Sequence, residues 1–267
     1  MKNPLPSVEH FLRILSTMFN RSMLQKTAAV LIALGVWQAA AMLLDQKILL
    51  VSPVAVLIRL TNIWIEEGFF ASVWFSFCRI VAGFFLALAA GLLLGIVAGK
   101  FRKVEIFLWP FILTIKSVPV ASFIVLALIW LSSAKLSVFI SFLMVLPIIY
   151  TNVLNGIKNT DVRMTQMADV FQVKWNRRLL YIWLPQIKPF LLSACSIGLG
   201  LSWKAGIAAE IIGIPDGSIG EALYNAKVYF NTVDLFSWTV IIVVISILFE
   251  KLFMMLLKQM FAGWERL

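Results

Sequence analysis

Long apolar runs along this chain alternate with short segments that carry most of its lysine and arginine. A helix crosses the hydrocarbon core of a bilayer with about 20 mostly apolar residues. Six stretches meet that requirement, at roughly 27–46, 70–99, 104–131, 136–156, 187–213 and 235–257. The third contains Pro110 and Pro119 with Lys116 between them, which predicts a short lead-in helix followed by a kinked span. Two shorter segments have their own periodicity. In SPVAVLIRLTNIWIEEG, the residues Val56, Leu60, Ile63 and Trp64 share one helical face. The pattern predicts a helix lying flat at the outer interface, as an anchor or as a contact for an outside partner. In GIPDGSIGEALYNAKVYFNTVD, the capping-box spacing of Ser218 and Glu221 predicts a short helix over 219–229 that dips toward the membrane.

Charge sets the orientation, because Lys and Arg collect on the cytoplasmic side. With the N-terminus inside, sixteen basic residues fall in cytoplasmic segments and four, Lys47, Arg59, Lys135 and Lys227, fall outside. The fold class is therefore an all-α, polytopic membrane protein with about six transmembrane helices, N-in and C-in. It divides into a cytoplasmic segment (1–26), one transmembrane domain (27–260, with a cytoplasmic loop at about 157–186) and a cytoplasmic tail (261–267). Composition agrees: 61% of residues are hydrophobic and 13% charged, against about a quarter charged in soluble domains. The net charge of +10 is spread between apolar spans and forms no single surface, which excludes nucleic acid as a partner. The start shows no apolar core followed by a small-residue cleavage site, so the first span is expected to stay. Cys78 and Cys195 both fall in spans and are expected to pack. His10, the single histidine, lies in the N-terminal segment, which leaves none inside the membrane for base catalysis or metal ligation.

The largest cytoplasmic loop contains QMADVFQVKWNRRLLYIWLP, residues 166–185. As one helix, it places Met167, Phe171, Trp175 and Leu179 on an apolar ridge, with Asp169, Lys174, Arg177 and Arg178 as a polar rim. Such a helix either lies on lipid headgroups or docks a partner. Ile182, Leu184 and Pro185 join it to the fifth span, so a force on the ridge is delivered to one span.

Charges at bilayer depth cost roughly 2.5 to 3.5 kcal/mol on insertion scales and need an explanation. Arg79, Lys116, Lys204 and Glu210 are the candidates. On the fifth span, Ser196, Gly200, Trp203, Gly206, Glu210 and Gly213 form a small-and-polar stripe suited to helix packing or to a wet pathway. Lys204 and Glu210 are about 240° apart around a helix and cannot pair with each other. Arg79 and Lys116 can snorkel to the outer and inner interfaces.

The loop resembles that of binding-protein-dependent ABC importer permeases, whose pattern is Glu-Ala-Ala, three residues, Gly, nine residues, then Ile-x-Leu-Pro. Aligned on Ile182, Leu184 and Pro185, the Glu-Ala-Ala positions hold Gln166, Met167 and Ala168, and the glycine is Gln172. With glutamine there, the helix is expected to continue unbroken. LVSPVAVL, SFCRIVAGFFLALAAGLLLG (at Ser76, Arg79, Gly83 and Phe84), KSVPVASFIVLALIW (matching at Pro119, with Lys116 in place of an arginine and Val120 in place of a second proline) and GLSWKAGIAAEIIG (at Trp203, Ala209 and Glu210) are similar to further segments of nitrate, sulfonate, taurine and bicarbonate permeases.

The resemblance implies a non-catalytic permease in a bacterial inner membrane. It also implies two ATP-binding subunits that grip the loop as a coupling helix, a second permease copy and an extracytoplasmic substrate-binding protein. The cargo it implies is a small polar or anionic solute, moved inward by alternating access. ATP and magnesium belong to the partner ATPase, and no cofactor or metal to this chain, which lacks a Gly-x-x-x-x-Gly-Lys-Ser/Thr loop. An aromatic or heterocyclic vitamin or pyrimidine precursor remains an alternative cargo. A membrane scaffold of the vitamin-uptake type and a lipid-modifying enzyme remain alternative classes.

Overall fold

The computed structural model describes residues 8–44 and 50–264. Lys2, Lys47 and Arg266 lie outside the described residues, as do the side chains of His10, Arg13, Arg21 and Leu179. All regular structure among the described residues is helical: α1 (Val8–Leu44), α2 (Pro53–Asn62), α3 (Phe69–Lys100), α4 (Arg102–Ser117), α5 (Val120–Ala127), α6 (Ser133–Lys158), α7 (Val162–Val170), α8 (Trp175–Arg178), α9 (Leu184–Gly213), α10 (Ile219–Val228) and α11 (Thr232–Trp264). Among the described residues, five helices are long and apolar enough to span a membrane, and α4 and α5, bent by 101° relative to each other, add a sixth where the pair counts as one broken span. That bend falls at Pro119, where the ring excludes a helical residue before it, as the two prolines of the third span predict. α1 runs unbroken across the boundary expected at residue 26.

The body of the fold is α6 held between α3 and α9. On α3, Gly83, Ala87, Gly91, Gly95 and Gly99 recur every four residues and bring the backbone of α3 against α6. A Cβ at Gly83 would lie 2.5 Å from the carbonyl oxygen of Val138, and one at Gly91 would lie 2.7 Å from the Cβ of Ile149. Lipid tails are as apolar as leucine, so helices in a bilayer gain from this kind of close van der Waals packing. Phe84, Val145, Ile149, Val153, Leu191, Ala194 and Leu199 fill the shared core, with Phe249 and Phe253 of α11 against it.

Opposite ends of the bundle carry different chemistry. At the outer end, Ser52 caps α2, and Arg59 pairs with both Glu66 and Asp234, pinning α2 to the start of α11. The two carboxylates, Asp234 first, hold the Arg59 guanidinium even more firmly protonated than usual. Of the expected interfacial face of α2, Val56 and Ile63 are buried inward and Trp64 is exposed. The serine half of the expected capping box forms, with the Ser218 hydroxyl accepting from the amide of Glu221 (2.9 Å), while the glutamate half reaches one residue further back. The Glu221 carboxylate accepts from the Gly217 amide (2.6 Å). On α1, residues 24–36 are all exposed, while near the outer end Trp37 meets Phe236 (5.5 Å between ring centroids).

Candidate coupling site and translocation path

At the inner end, Asp161 caps α7 by accepting from the Arg163 amide (2.8 Å). Its own amide donates to Gln186 of α9 (2.9 Å). α7 then stops at Val170, and the unbroken helix expected through Gln172 is corrected. Gln172 has φ +45°, the Val173 amide donates to the carbonyl of Ala168 (2.9 Å), and the Gln172 amide donates to that of Asp169 (3.1 Å). This is a Schellman motif with glutamine where glycine is usual. The residue differs from the glycine of the resembled pattern, yet its backbone lies in the left-handed region that favours glycine. Burial supplies the reason. Ala168 is fully buried against Ile182, Trp183 and Ile187, and Trp175 packs edge-on to Trp183 (4.6 Å) beneath the Lys100 ammonium (3.9 Å). Both ends of the segment can reach the bundle only if the chain turns between them.

The turn divides the expected ridge. Met167 and Phe171 are exposed, whereas Trp175 faces the bundle. Val162, Met164 and Val170 are exposed as well, and helical spacing puts Met164, Met167, Val170 and Phe171 on one side; a periodicity assumed to run on through Trp175 leaves Met164 and Val170 out. In the rim, Arg178 pairs with Asp169 (2.6 Å), while Gln166, Lys174 and Arg177 stay exposed. From Trp175, a π-helical turn (Leu179–Trp183) continues directly into α9, with Ile182 buried and Pro185 exposed in its first turn. One continuous element of about 58 Å therefore runs from the loop to the outer end of the fifth span.

Gln172→Val tests the turn. A β-branched side chain at positive φ is expected to cost on the order of 1 kcal/mol more than glutamine, whereas Gln172→Gly keeps the turn. Hydrogen exchange at the Val173 amide should accelerate in the first variant only.

The membrane-depth residues separate into three environments. Arg79 donates to the carbonyl of Ala134 (2.7 Å) and lies over the Phe75 ring (3.3 Å), so it reaches the outer end of α6. Lys116, close to the exposed Pro119, donates to Thr151 of α6 (2.8 Å). Trp203, Gly206 and Glu210 are buried within the bundle. Glu210 accepts from the Ser76 hydroxyl (2.6 Å) and the Gly220 amide (3.3 Å), and Ser76 accepts from the Ile219 amide (3.0 Å). A Cβ at Gly220 would fall 2.2 Å from that of Glu210, so only glycine allows α10 to seat here. Most of the small-and-polar stripe is thus packing; Ser196 donates to Glu250 of α11 (2.6 Å), and Gly213 meets Leu136.

The uncovered face of α9 is a different one. Ser193, Ile197 and Lys204 are exposed there, with Gly200 half-buried between Ile197 and Lys204 and no atom within 4 Å of a Cβ built at Gly200. Lys204 and Glu210 point apart, as their spacing requires.

Residues 91–264 match the family described as binding-protein-dependent transport system inner membrane component. The chain is 27% identical over 240 residues to the SsuC permease of Bacillus subtilis strain 168, whose name refers to aliphatic sulfonates; the match covers 89% of this chain and 85% of that one. It is also 27% identical over 230 residues to the taurine transport system permease protein TauC of Escherichia coli K12, covering 84% and 83%. To the bicarbonate transport system permease protein CmpB of Synechococcus elongatus it is 25% identical over 163 residues, covering 61% and 59%. Among solved structures, an amino acid ABC transporter crystallised with histidines is similar at a TM-score of 0.50 and 17% identity, covering 73% of this chain and 95% of that one, which agrees in fold. The chain belongs to the family of binding-protein-dependent transport system inner membrane components, the multi-pass permeases of ABC importers.

Proposed function

We propose that this permease converts ATP hydrolysis on two partner subunits into inward movement of a small polar or anionic solute of the sulfonate, taurine or bicarbonate type, across a bacterial inner membrane. The observation that carries the reading is the exposed apolar cluster of Met164, Met167, Val170 and Phe171 at the basic end of the bundle, on a helix anchored through Ala168 to the base of α9. An apolar patch outside the lipid favours a protein partner. ATP and magnesium sit on that partner, and this chain contributes the lever.

A push on α7 passes through the Asp169–Arg178 pair and the Ala168 contact into α9, and from there through Glu210 to α10. α10 therefore moves with the same lever at the side where an extracytoplasmic binding protein delivers cargo. A second permease copy supplies what the uncovered face of α9 and the free flank of α1 lack, closing a polar pathway at the seam. Affinity purification of the tagged chain in mild detergent, with an ATPase assay of the eluate, tests the reading. It predicts a stable complex that hydrolyses ATP; an ATPase-free chain, under conditions that preserve known membrane complexes, overturns it.

A further inference from the structure

Of the four ionisable side chains at membrane depth described above, three make hydrogen bonds within the chain: Arg79 to Ala134, Lys116 to Thr151, and Glu210, through one carboxylate oxygen, to Ser76 and Gly220. Lys204 alone of the four has neither an ion-pair nor a hydrogen-bond partner among the described residues. It stands nine residues from the outer end of α9 at Gly213, about 14 Å along the axis, which is too deep for its stem to reach the surface easily. An uncompensated ammonium at that depth is costly against lipid and tolerable in a wet path. Its surroundings suit passage: Gly200 lies one turn inward, open to space, with Ser193 beyond it on the same face.

We propose that Lys204 is the charge-selecting residue of the translocation path, and that it draws small oxyanions, such as sulfonates or bicarbonate, into the seam. This rests on the permease reading above. Two copies facing each other across a seam would place two ammonium groups in a narrow, poorly screened space, where a single negative charge is attracted and a cation repelled. The positive Lys204 face and the buried Glu210 are on different sides of α9, so the carboxylate does not cancel this field inside the path.

The test reads charge without requiring the cargo. Gly200→Cys is introduced into the full transporter in membranes, because a side chain fits there without displacing an atom. The introduced thiol is then reacted with anionic 2-sulfonatoethyl and cationic 2-trimethylammonioethyl methanethiosulfonate, using the unsubstituted chain as the blank for Cys78 and Cys195. The anionic reagent is expected to react faster. Lys204→Met should lower the anionic-to-cationic rate ratio by about tenfold, and Lys204→Arg should preserve it. Ile197→Cys, one turn further inward, provides the same readout should Gly200→Cys disturb assembly. A ratio unchanged by Lys204→Met overturns the proposal, and so does a face that neither reagent labels. Failure of the permease reading is distinguishable, since it appears as loss of ATPase association whatever the labelling ratio.

Discussion

Phe171→Ala is expected to weaken binding of the ATPase subunit by about 2 kcal/mol, roughly thirtyfold in Kd, and to uncouple transport while leaving the permease folded. Phe171 ends α7 with 73% of its surface exposed, beside Val170 at 79%. An aromatic ring presented this way, beyond the lipid, loses nothing within its own chain when truncated. Trp175→Ala should behave differently. That ring lies under Lys100 and against Trp183, so its removal opens the bundle and lowers the chain's own thermal stability by a few degrees. Co-purification of the ATPase and melting in detergent separate the two effects. Unchanged complex formation and transport in Phe171→Ala would remove α7 as the docking element.

Gly91→Leu is expected to have the largest effect on folding. A Cβ alone would meet Ile149 at 2.7 Å, and its neighbours Gly95 and Gly99 are equally tight against Val153 and Ile157. A leucine must therefore force α3 away from α6 along the central seam. Overpacking of this kind costs about 1–3 kcal/mol where a core can adjust, and more where the obstacle is another helix's branched side chain. Loss of the monodisperse species on size-exclusion chromatography is the expected readout. Gly263→Leu, at the end of α11 where nothing lies within 4 Å, is the matched control and should elute unchanged.

Much of the architecture is legible in the sequence because the bilayer imposes simple rules. Span length, the basic bias of the inner segments, the capping box at Ser218 and the proline break before α5 are local properties that the environment enforces. The four-residue recurrence of Gly83, Ala87, Gly91, Gly95 and Gly99 is also a sequence signal, for the α3–α6 seam, but it carries no charge or polarity to set it apart as the stripe of α9 does.

The candidate site is legible as a segment and misleading as a shape. The pattern of residues 166–185 marks the coupling element, and Gln172 reads as helical because glutamine favours helices. Tertiary burial of Ala168 on one side and Trp175 on the other outweighs that propensity and bends the backbone into the left-handed region. The same limit applies to α9. Spacing along the sequence determines that Lys204 and Glu210 face apart, since helical geometry alone decides it. Which of them is buried depends on where α3 and α10 pack: Ser76 and the start of α10 arrive from 134 and about ten residues away to hydrogen-bond one oxygen of Glu210, and no described element of the chain arrives to cover Lys204.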